Sequence, residues 1–346
     1  APLRETVILG IASFNHYEQN RKGMRKMKNL QKKGTYLSAA LAMVMLFSFQ
    51  AFAQTITPVA DTTTGQPTAQ KSPFKIDAGY SHRIKTDIKG GSGSFNVQST
   101  GVKASNHLKL NPCYSLDTAL SYEYNIYQMQ NNNHRWFQRR NRFDWNKVHL
   151  VTLSSLLTYE MDEKWRFYGG AVINVGAEEG ASIGRTFSGG GAAGFNYVFS
   201  PTLTAGAGLA VVSRIEDPVA AVPLVRLDWM FACKWNLHAG FSDLGSSAGY
   251  GMEVSWNPLE KLTLSSGVQE QYKRFRLATE NGRRHARYVP AVASDKFAVA
   301  YAKACFDITK QIGVEGYAGM AFSGKLKVEN RNGQALAEEK YDQTPM

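Results

Sequence analysis

From Phe74 onward, apolar and polar residues alternate with a period of two, the pattern of a β-strand with one buried face. In the first such segment the apolar face holds Ile76, Ala78, Tyr80, His82 and Ile84. No segment shows a convincing helical period. The pattern predicts an all-β chain of thirteen strands, at about 74–89, 94–109, 115–128, 148–160, 165–177, 188–199, 203–215, 221–231, 236–243, 249–256, 262–277, 296–306 and 312–328.

Short polar turns recur between a large residue that ends one strand and a large residue that begins the next. They lie at 111–115, 160–164, 200–202, 232–236, 257–261 and 307–311. The intervening connections, 128–146, 178–187, 243–248 and 278–294, are longer and polar. This asymmetry predicts a transmembrane antiparallel up-and-down β-barrel of about 12–14 strands, with short periplasmic turns, longer extracellular loops and an aromatic girdle beside the turns. A soluble β-sandwich is the alternative.

The N-terminal region has the order of an export signal. Met27 is followed by a basic stretch, an apolar stretch from Tyr36 to Phe49 and the small-x-small site Ala51–Ala53. We therefore predict an upstream extension at 1–26, a signal peptide at 27–53 cleaved between Ala53 and Gln54, a flexible periplasmic leader at 54–72 and a barrel at 73–346. A membrane-anchor helix is the alternative for the apolar stretch, and Met24 is an alternative start.

Composition and charge narrow the class of protein. The chain is rich in Gly, Tyr and Phe, which suits strands. The net charge is +12, but residues 1–53 hold eight Lys and Arg against Glu5 and Glu18, so half of the excess lies in the segment before the predicted cleavage site. The remainder is too weakly basic to indicate nucleic-acid binding.

Two stretches carry a family resemblance: SGGGAAGFNYVFSPTLTAGAGLAVV at 188–212 and VPLVRLDWMF at 222–231. Together with the signal peptide and the proline-containing turns, they resemble an uncharacterised outer-membrane barrel family, domain of unknown function (DUF) 6268, of Bacteroidota and similar Gram-negative bacteria. The resemblance covers roughly 74–345. It implies a membrane barrel, and it brings no catalytic residues to transfer.

The polar face of the strands carries both signs of charge, and charges withdrawn from water need partners. The candidate lumen-lining residues are Lys75, Asp77, Arg83, Lys85, Glu123, Arg166, Arg226, Asp228, Glu253 and Glu315. They fit a channel lining, and equally a network of ion pairs that braces a plugged barrel.

Two predicted extracellular loops are basic and aromatic, and arginine suits phosphate or carboxylate ligands. Their candidate residues are Arg135, Arg139, Arg140, Arg142, Arg283, Arg284 and Arg287. Contact with lipopolysaccharide phosphates, attraction of an anionic solute and a merely solvated surface all remain open.

Candidate chemistry is sparse. The chain has three cysteines, which lack Cys-x-x-Cys spacing and fall in separate hairpins: Cys113, Cys233 and Cys305. We therefore expect isolated thiols. His149 and Ser155 lie about 20 Å apart on an extended strand, too far for a nucleophile–base pair. Asp243 with His238 is a weaker possibility. We expect no enzyme activity, metal or cofactor.

These observations predict a non-enzymatic, porin-like channel or transporter of unknown solute. The alternative is a closed structural or adhesive barrel acting through its basic loops, and a lipid-modifying enzyme is less favoured. The expected partners are outer-membrane lipid, lipopolysaccharide, the barrel-assembly machinery and a small solute, without nucleic acid. The oligomeric state is left open.

The end of the chain raises a further expectation, because bacterial single-chain barrels normally have an even number of strands. After thirteen strands only Gln334–Met346 remains, and Ala335–Ala337 is a short apolar run. The pattern predicts that the chain stops one strand short of closure.

Overall fold

The computed structural model describes residues 74–89, 93–130, 145–182, 184, 186–215, 217–241, 249–278, 291–308, 313–330, 333–341 and 344–346. These residues belong to one structural unit, Gln70–Met346. The predicted extension, signal peptide and leader lie outside the described residues. In the part of the chain that is described, no helix is long and apolar enough to cross a membrane.

Fifteen strands account for almost all of the described chain. Their bounds are β1 Phe74–Asp87, β2 Ser94–Lys109, β3 Tyr114–Gln130, β4 Lys147–Glu160, β5 Trp165–Glu178, β6 Phe187–Ser200, β7 Leu203–Arg214, β8 Asp217–Ala232, β9 Trp235–Phe241, β10 Tyr250–Leu259, β11 Leu262–Arg276, β12 Ala291–Asp307, β13 Gly313–Asn330, β14 Ala335–Tyr341 and β15 Thr344–Pro345.

The strands form one antiparallel sheet in which each strand pairs with its neighbours in sequence, from β1 to β14. The two ends of this order meet through a bridge between Ile88 and Tyr341 and a 2.9 Å hydrogen bond from the Lys89 N–H to the Lys340 carbonyl. The sheet is therefore a closed barrel. The prediction of an all-β, antiparallel, up-and-down barrel is confirmed.

The two ends of the barrel differ in the length of their connections. At one end, the short-turn end, successive strands are joined by two to five residues. The opposite, long-loop end carries the longest connections, 131–146 between β3 and β4 and 277–290 between β11 and β12, although β7 and β8 are joined there by 215–216 alone. The predicted asymmetry is confirmed, with two exceptions at the long-loop end: β7–β8, and β13–β14, which are joined by 331–334.

Asx-type caps stabilise the turns at the short-turn end. The Asn111 side-chain carbonyl accepts the N–H groups of Cys113 and Tyr114 at 2.9 and 2.8 Å. In the next turn, the Asp162 carboxylate accepts the N–H groups of Trp165 and Lys164 at 2.6 and 2.7 Å. These bonds, to Trp165 first and Lys164 second, lower the pKa of Asp162 below its ordinary value, because they favour the charged carboxylate.

The order of the sheet has fourteen strands, which confirms the predicted range of about 12–14, but the count of thirteen segments missed the last strand. A return strand follows β13: β14 pairs with Gly324–Glu329, and β15 pairs with Met320 and Ala321. The last residue, Met346, exchanges two backbone hydrogen bonds with Gly319 at 2.8 and 3.0 Å. The short apolar run misled the prediction, because β14 continues through Glu338–Lys340 and needs no long apolar face.

A β-bulge in β1 corrects one assignment. Pairing with β2 shifts between Arg83 and Thr86, so Thr86 rather than Lys85 takes the next inward position. Thr86 is fully buried, whereas the Lys85 side chain is exposed. Lys85 therefore does not line the barrel interior as predicted. A bulge adds one residue to one strand and reverses the alternation beyond it.

The outer face carries an apolar band that begins at the short-turn end. Starting at the short-turn end, outward positions of β12 run from Phe306 through four alanines to Lys296, and those of β13 run from Val314 through Met320 to Lys325. On β4, counted from the same end, the first outward-facing Lys, Arg, Asp or Glu is Lys147. On these three strands the outer surface is thus apolar or small for about ten residues before charge begins, and on β11 it is so for eight residues, from Leu262 to Glu270.

Aromatic rings line the edge of this band that lies beside the short turns. Tyr114 stacks on Tyr159 with ring centroids 4.8 Å apart, and Trp235 stacks on Trp256 at 5.7 Å. The same edge carries the linked rings of Trp165, Phe167, Phe195, Tyr197, Phe199, Trp229 and Phe231.

Candidate functional site in the barrel interior

Of the ten residues proposed as lumen lining, all except Lys85 occupy inward register positions, but they do not form one cluster. Near the short-turn end, Lys75 Nζ lies 2.7 Å from Asp77 Oδ1, with side chains 71% and 45% exposed. Arg166 Nε lies 3.4 Å from Glu160 Oε1. Glu315 is exposed on the same face of β13 as Tyr317. This end of the interior is polar and open to water.

Two further groups pair the predicted residues with partners on the same or a nearby strand. Asp228 binds Arg226 Nε at 2.6 Å through one oxygen and lies 2.5 Å from His238 Nδ1 through the other. Glu253 accepts a 2.6 Å hydrogen bond from the Tyr301 hydroxyl and lies 3.0 Å from Lys303 Nζ. Each carboxylate has two partners. The first group joins β8 to β9, and the second joins β10 to β12 across β11.

Towards the long-loop end the interior changes from polar to packed. Inward-facing rings from both sides of the barrel fill it, and we call this group the plug. The plug consists of Arg83 and Asp295 with the surrounding rings of Phe95, Tyr127, Trp145, Phe275, Phe297 and Tyr341. The rings of Tyr127, Trp145 and Phe275 are 5.7–6.0 Å apart, although β3 and β11 are far apart in the sheet order.

At the centre of the plug is a buried ion pair. Arg83 is 3% exposed and Asp295 is 0% exposed, and Arg83 Nη2 lies 2.5 Å from Asp295 Oδ2. The hydroxyls of Tyr341 and Tyr127 donate to Asp295 at 2.6 and 3.1 Å. The guanidinium also lies 4.4 Å from the centroid of the Phe297 ring. Four strands, β1, β3, β12 and β14, thus converge on one carboxylate.

A second link crosses the barrel on the short-turn side of the plug. Lys273 on β11 donates to Asn125 on β3 at 2.8 Å and also binds the Glu123 carboxylate. β11 also touches β5, its distant neighbour in the sheet, through a parallel bridge between Arg276 and Ala177. A Cβ at Gly176 would overlap the Arg274 carbonyl oxygen, so this close approach requires glycine.

Near the long-loop end, Arg274 lies on the opposite face of β11 from Lys273 and Phe275. The Arg274 guanidinium donates to the carbonyl of Ile215, at the tip of the β7–β8 hairpin, at 2.9 and 3.1 Å. Lower down, the Tyr168 ring lies against Gly194 and Gly208, where any Cβ would overlap its hydroxyl.

A cavity of about 240 Å³ lies directly on the short-turn side of the plug. Strands β1, β2, β3, β11, β12 and β13 contribute to its wall. Its lining includes Ser81, Arg83, Glu123, Gln271, Lys273 and Tyr317.

Other candidates from the sequence are placed as follows. All seven basic-loop arginines lie outside the described residues. The three cysteines are free thiols. His149 faces outward and lies 2.8 Å from the Tyr122 hydroxyl. Asp243 lies outside the described residues, and His238 contacts Asp228 instead. No group of three metal-ligating side chains occurs in the described ranges.

Sequence reasoning missed Asp295, Tyr127, Tyr341 and Lys273. Asp295 did carry a signal, because it alternates with Ala293 and Phe297 on an otherwise apolar face. A lone charge on such a face requires a buried partner. No local pattern identifies Arg83 as that partner, because the two residues are 212 positions apart.

Comparison with known proteins gives structural neighbours only. No family model and no curated protein matches the chain, so the resemblance to the DUF 6268 family stays a prediction. Among solved structures, a deltaS2 mutant of the TodX monoaromatic hydrocarbon channel is 8% identical over 79% of this chain and 87% of its own, with a TM-score of 0.41. Acinetobacter baumannii OccAB4 is 9% identical over 80% and 97%, with a TM-score of 0.29. A mutant Rh. blastica porin is 8% identical over 79% and 100%, with a TM-score of 0.26. These similarities do not indicate what this chain binds or transports.

Proposed function

We propose that this protein is a non-enzymatic outer-membrane barrel that serves as a porin-like channel or transporter for a small solute, with the plug as its gate. The exposed apolar band supports the location. About ten residues at 3.3 Å each, tilted by about 45°, span about 23 Å, close to the apolar height of about 25 Å in membrane barrels. Export through cleavage between Ala53 and Gln54 belongs to the proposal, and the intact mass of membrane-extracted protein tests it.

The observation that carries the channel proposal is the contrast between the two halves of the interior. The half near the short turns is polar and open to water, which gives a solute an entrance from the periplasmic side. The other half is closed by a plug centred on one ion pair. Gating would require this pair to adopt a second arrangement in which the plug is open.

Planar-bilayer recording of the purified protein tests this proposal. We expect low conductance with discrete openings, because the closed arrangement fills the interior. The conductance should rise when the plug is disrupted, as considered in the Discussion. If neither the natural chain nor a plug variant conducts while both remain heat-modifiable barrels, the channel proposal is wrong.

The second candidate is a closed structural or adhesive barrel acting through its basic loops. The cross-lumen contacts of Lys273 and Arg83 favour it, because they brace the barrel shut. In that case, replacing Arg139, Arg140, Arg283 and Arg284 together by glutamine should weaken lipopolysaccharide binding, most strongly at low ionic strength. Vesicle co-sedimentation at two salt concentrations measures this. Unchanged binding in both would identify these loops as solvated surface.

A further inference from the structure

The cavity on the short-turn side of the plug is small. It lies where the polar half of the interior meets the plug. Its volume of about 240 Å³ corresponds to about eight water molecules at about 30 Å³ each. Pockets for drug-sized ligands begin at about 300 Å³. The cavity therefore suits a solute of about a dozen heavy atoms or fewer.

Every charged side chain in the cavity wall already has a counter-ion within the protein. Arg83 pairs with Asp295, and Lys273 pairs with Glu123. A charged solute would have to break one of these pairs or bring an unpaired charge into a partly buried site, and both are costly. The arrangement therefore disfavours charged solutes.

The neutral polar groups of the wall are less occupied. The side chains of Ser81, Gln271 and Tyr317 line the cavity and make no side-chain hydrogen bond among the described residues. Behind the wall formed by Ser99 and Lys273, Asn125 is fully buried, and its Nδ2 has no acceptor among the described residues. The Phe297 ring adds an apolar surface. Several hydroxyl and amide groups beside an aromatic ring match a solute with many hydroxyls and apolar C–H faces.

We infer that this cavity is a binding site for a neutral, polyhydroxylated solute of monosaccharide size. The inference rests on the proposed function, because it names the solute class of that same interior. The solute hydroxyls would exchange hydrogen bonds with Ser81, Gln271 and Tyr317. It would reach them from the short-turn end and would bind without disturbing the two ion pairs.

Equilibrium binding to the full purified chain in detergent micelles tests the inference, because both ends of the barrel are then accessible. Glucose and sorbitol are the neutral probes, and gluconate and glucosamine are their charged counterparts. Calorimetry or saturation-transfer NMR should detect the neutral pair and find the charged pair weaker. Gln271→Leu should weaken binding about five- to tenfold, the usual effect of one lost hydrogen bond.

A matched control lies on the same strand. Gln269 faces inward two residues nearer the short turns and is not part of the cavity wall. Gln269→Leu should leave the affinity unchanged. Tyr317→Phe removes only a hydroxyl and provides a second test if Gln271→Leu fails to fold.

Four results would overturn the inference: no binding of either neutral probe, tighter binding of a charged one, equal effects of Gln271→Leu and Gln269→Leu, or no effect of Tyr317→Phe. Conductance without sugar binding would reject the solute class and leave the channel proposal intact. Sugar binding without conductance in any variant would reject the channel proposal and leave the binding site intact.

Discussion

Replacing Asp295 by alanine should destabilise the barrel by about 3–5 kcal/mol, the cost of leaving a buried charge without its partner. Arg83 would keep its charge at 3% exposure, and the hydroxyls of Tyr127 and Tyr341 would lose their shared acceptor. The plug should loosen at the same time, so channel conductance should rise. Urea unfolding of the protein refolded in lipid vesicles measures the first effect, and planar-bilayer recording measures the second.

The chain provides two controls for this result. Asp77→Ala removes the carboxylate of the exposed Lys75–Asp77 pair and should cost less than about 1 kcal/mol. The double variant Arg83→Met with Asp295→Leu should recover most of the lost stability, because apolar groups of similar size often replace a buried ion pair without loss. Equal stability of Asp295→Ala and Asp77→Ala, with unchanged conductance, would contradict the assigned role of the plug.

Replacing Leu227 by arginine should cost about 2–4 kcal/mol, the penalty for a cation facing lipid near the bilayer midplane. Leu227 lies on the outer face of β8 between Val225 and Trp229, which are 58% and 43% exposed. Leu227 lies five residues from Ala232, where β8 ends at the short turns. Because the apolar band is about ten residues high, Leu227 is at half of its height. Unfolding in vesicles against urea gives the free energy directly.

The neighbouring residue supplies the control for the opposite face. Arg226 points inward and its side chain is 53% exposed, so Arg226→Leu should change stability by less than about 1 kcal/mol despite the loss of its bond to Asp228. If Leu227→Arg is harmless and Arg226→Leu prevents refolding, the two faces of β8 have been interchanged.

Much of the barrel could be predicted because its strongest constraints are local. Alternation along β3 or β8 requires only neighbouring residues, and turns such as Asn111–Cys113 carry their own capping side chain. The predictions failed where the local pattern was interrupted. The bulge after Arg83 moved Lys85 out of the inward row, and the charged residues of β14 concealed a strand that pairs with β13.

The plug could not be predicted from the same information. Inward positions of β11 run from Gln269 and Gln271 through Lys273 to Phe275, and this change from polar to apolar was the available sign of a packed interior. The partners of these residues come from the far wall, on β3 and β4. Which residues meet there depends on the cross-section of the closed barrel, a property that no single segment contains.

The ion pair that joins β1 to β12 also has a consequence for the order of folding. A chain that adds its hairpins in sequence holds Arg83 from the first strand, but its counter-ion arrives only after more than two hundred further residues. Loop-closure entropy makes such a distant contact slow to form. Until it forms, the guanidinium of an incomplete barrel lacks its carboxylate. We therefore expect the first strand to be sealed against the last in the same step that fills the interior, and an assembly intermediate that has not reached β12 to be an open, hydrated sheet.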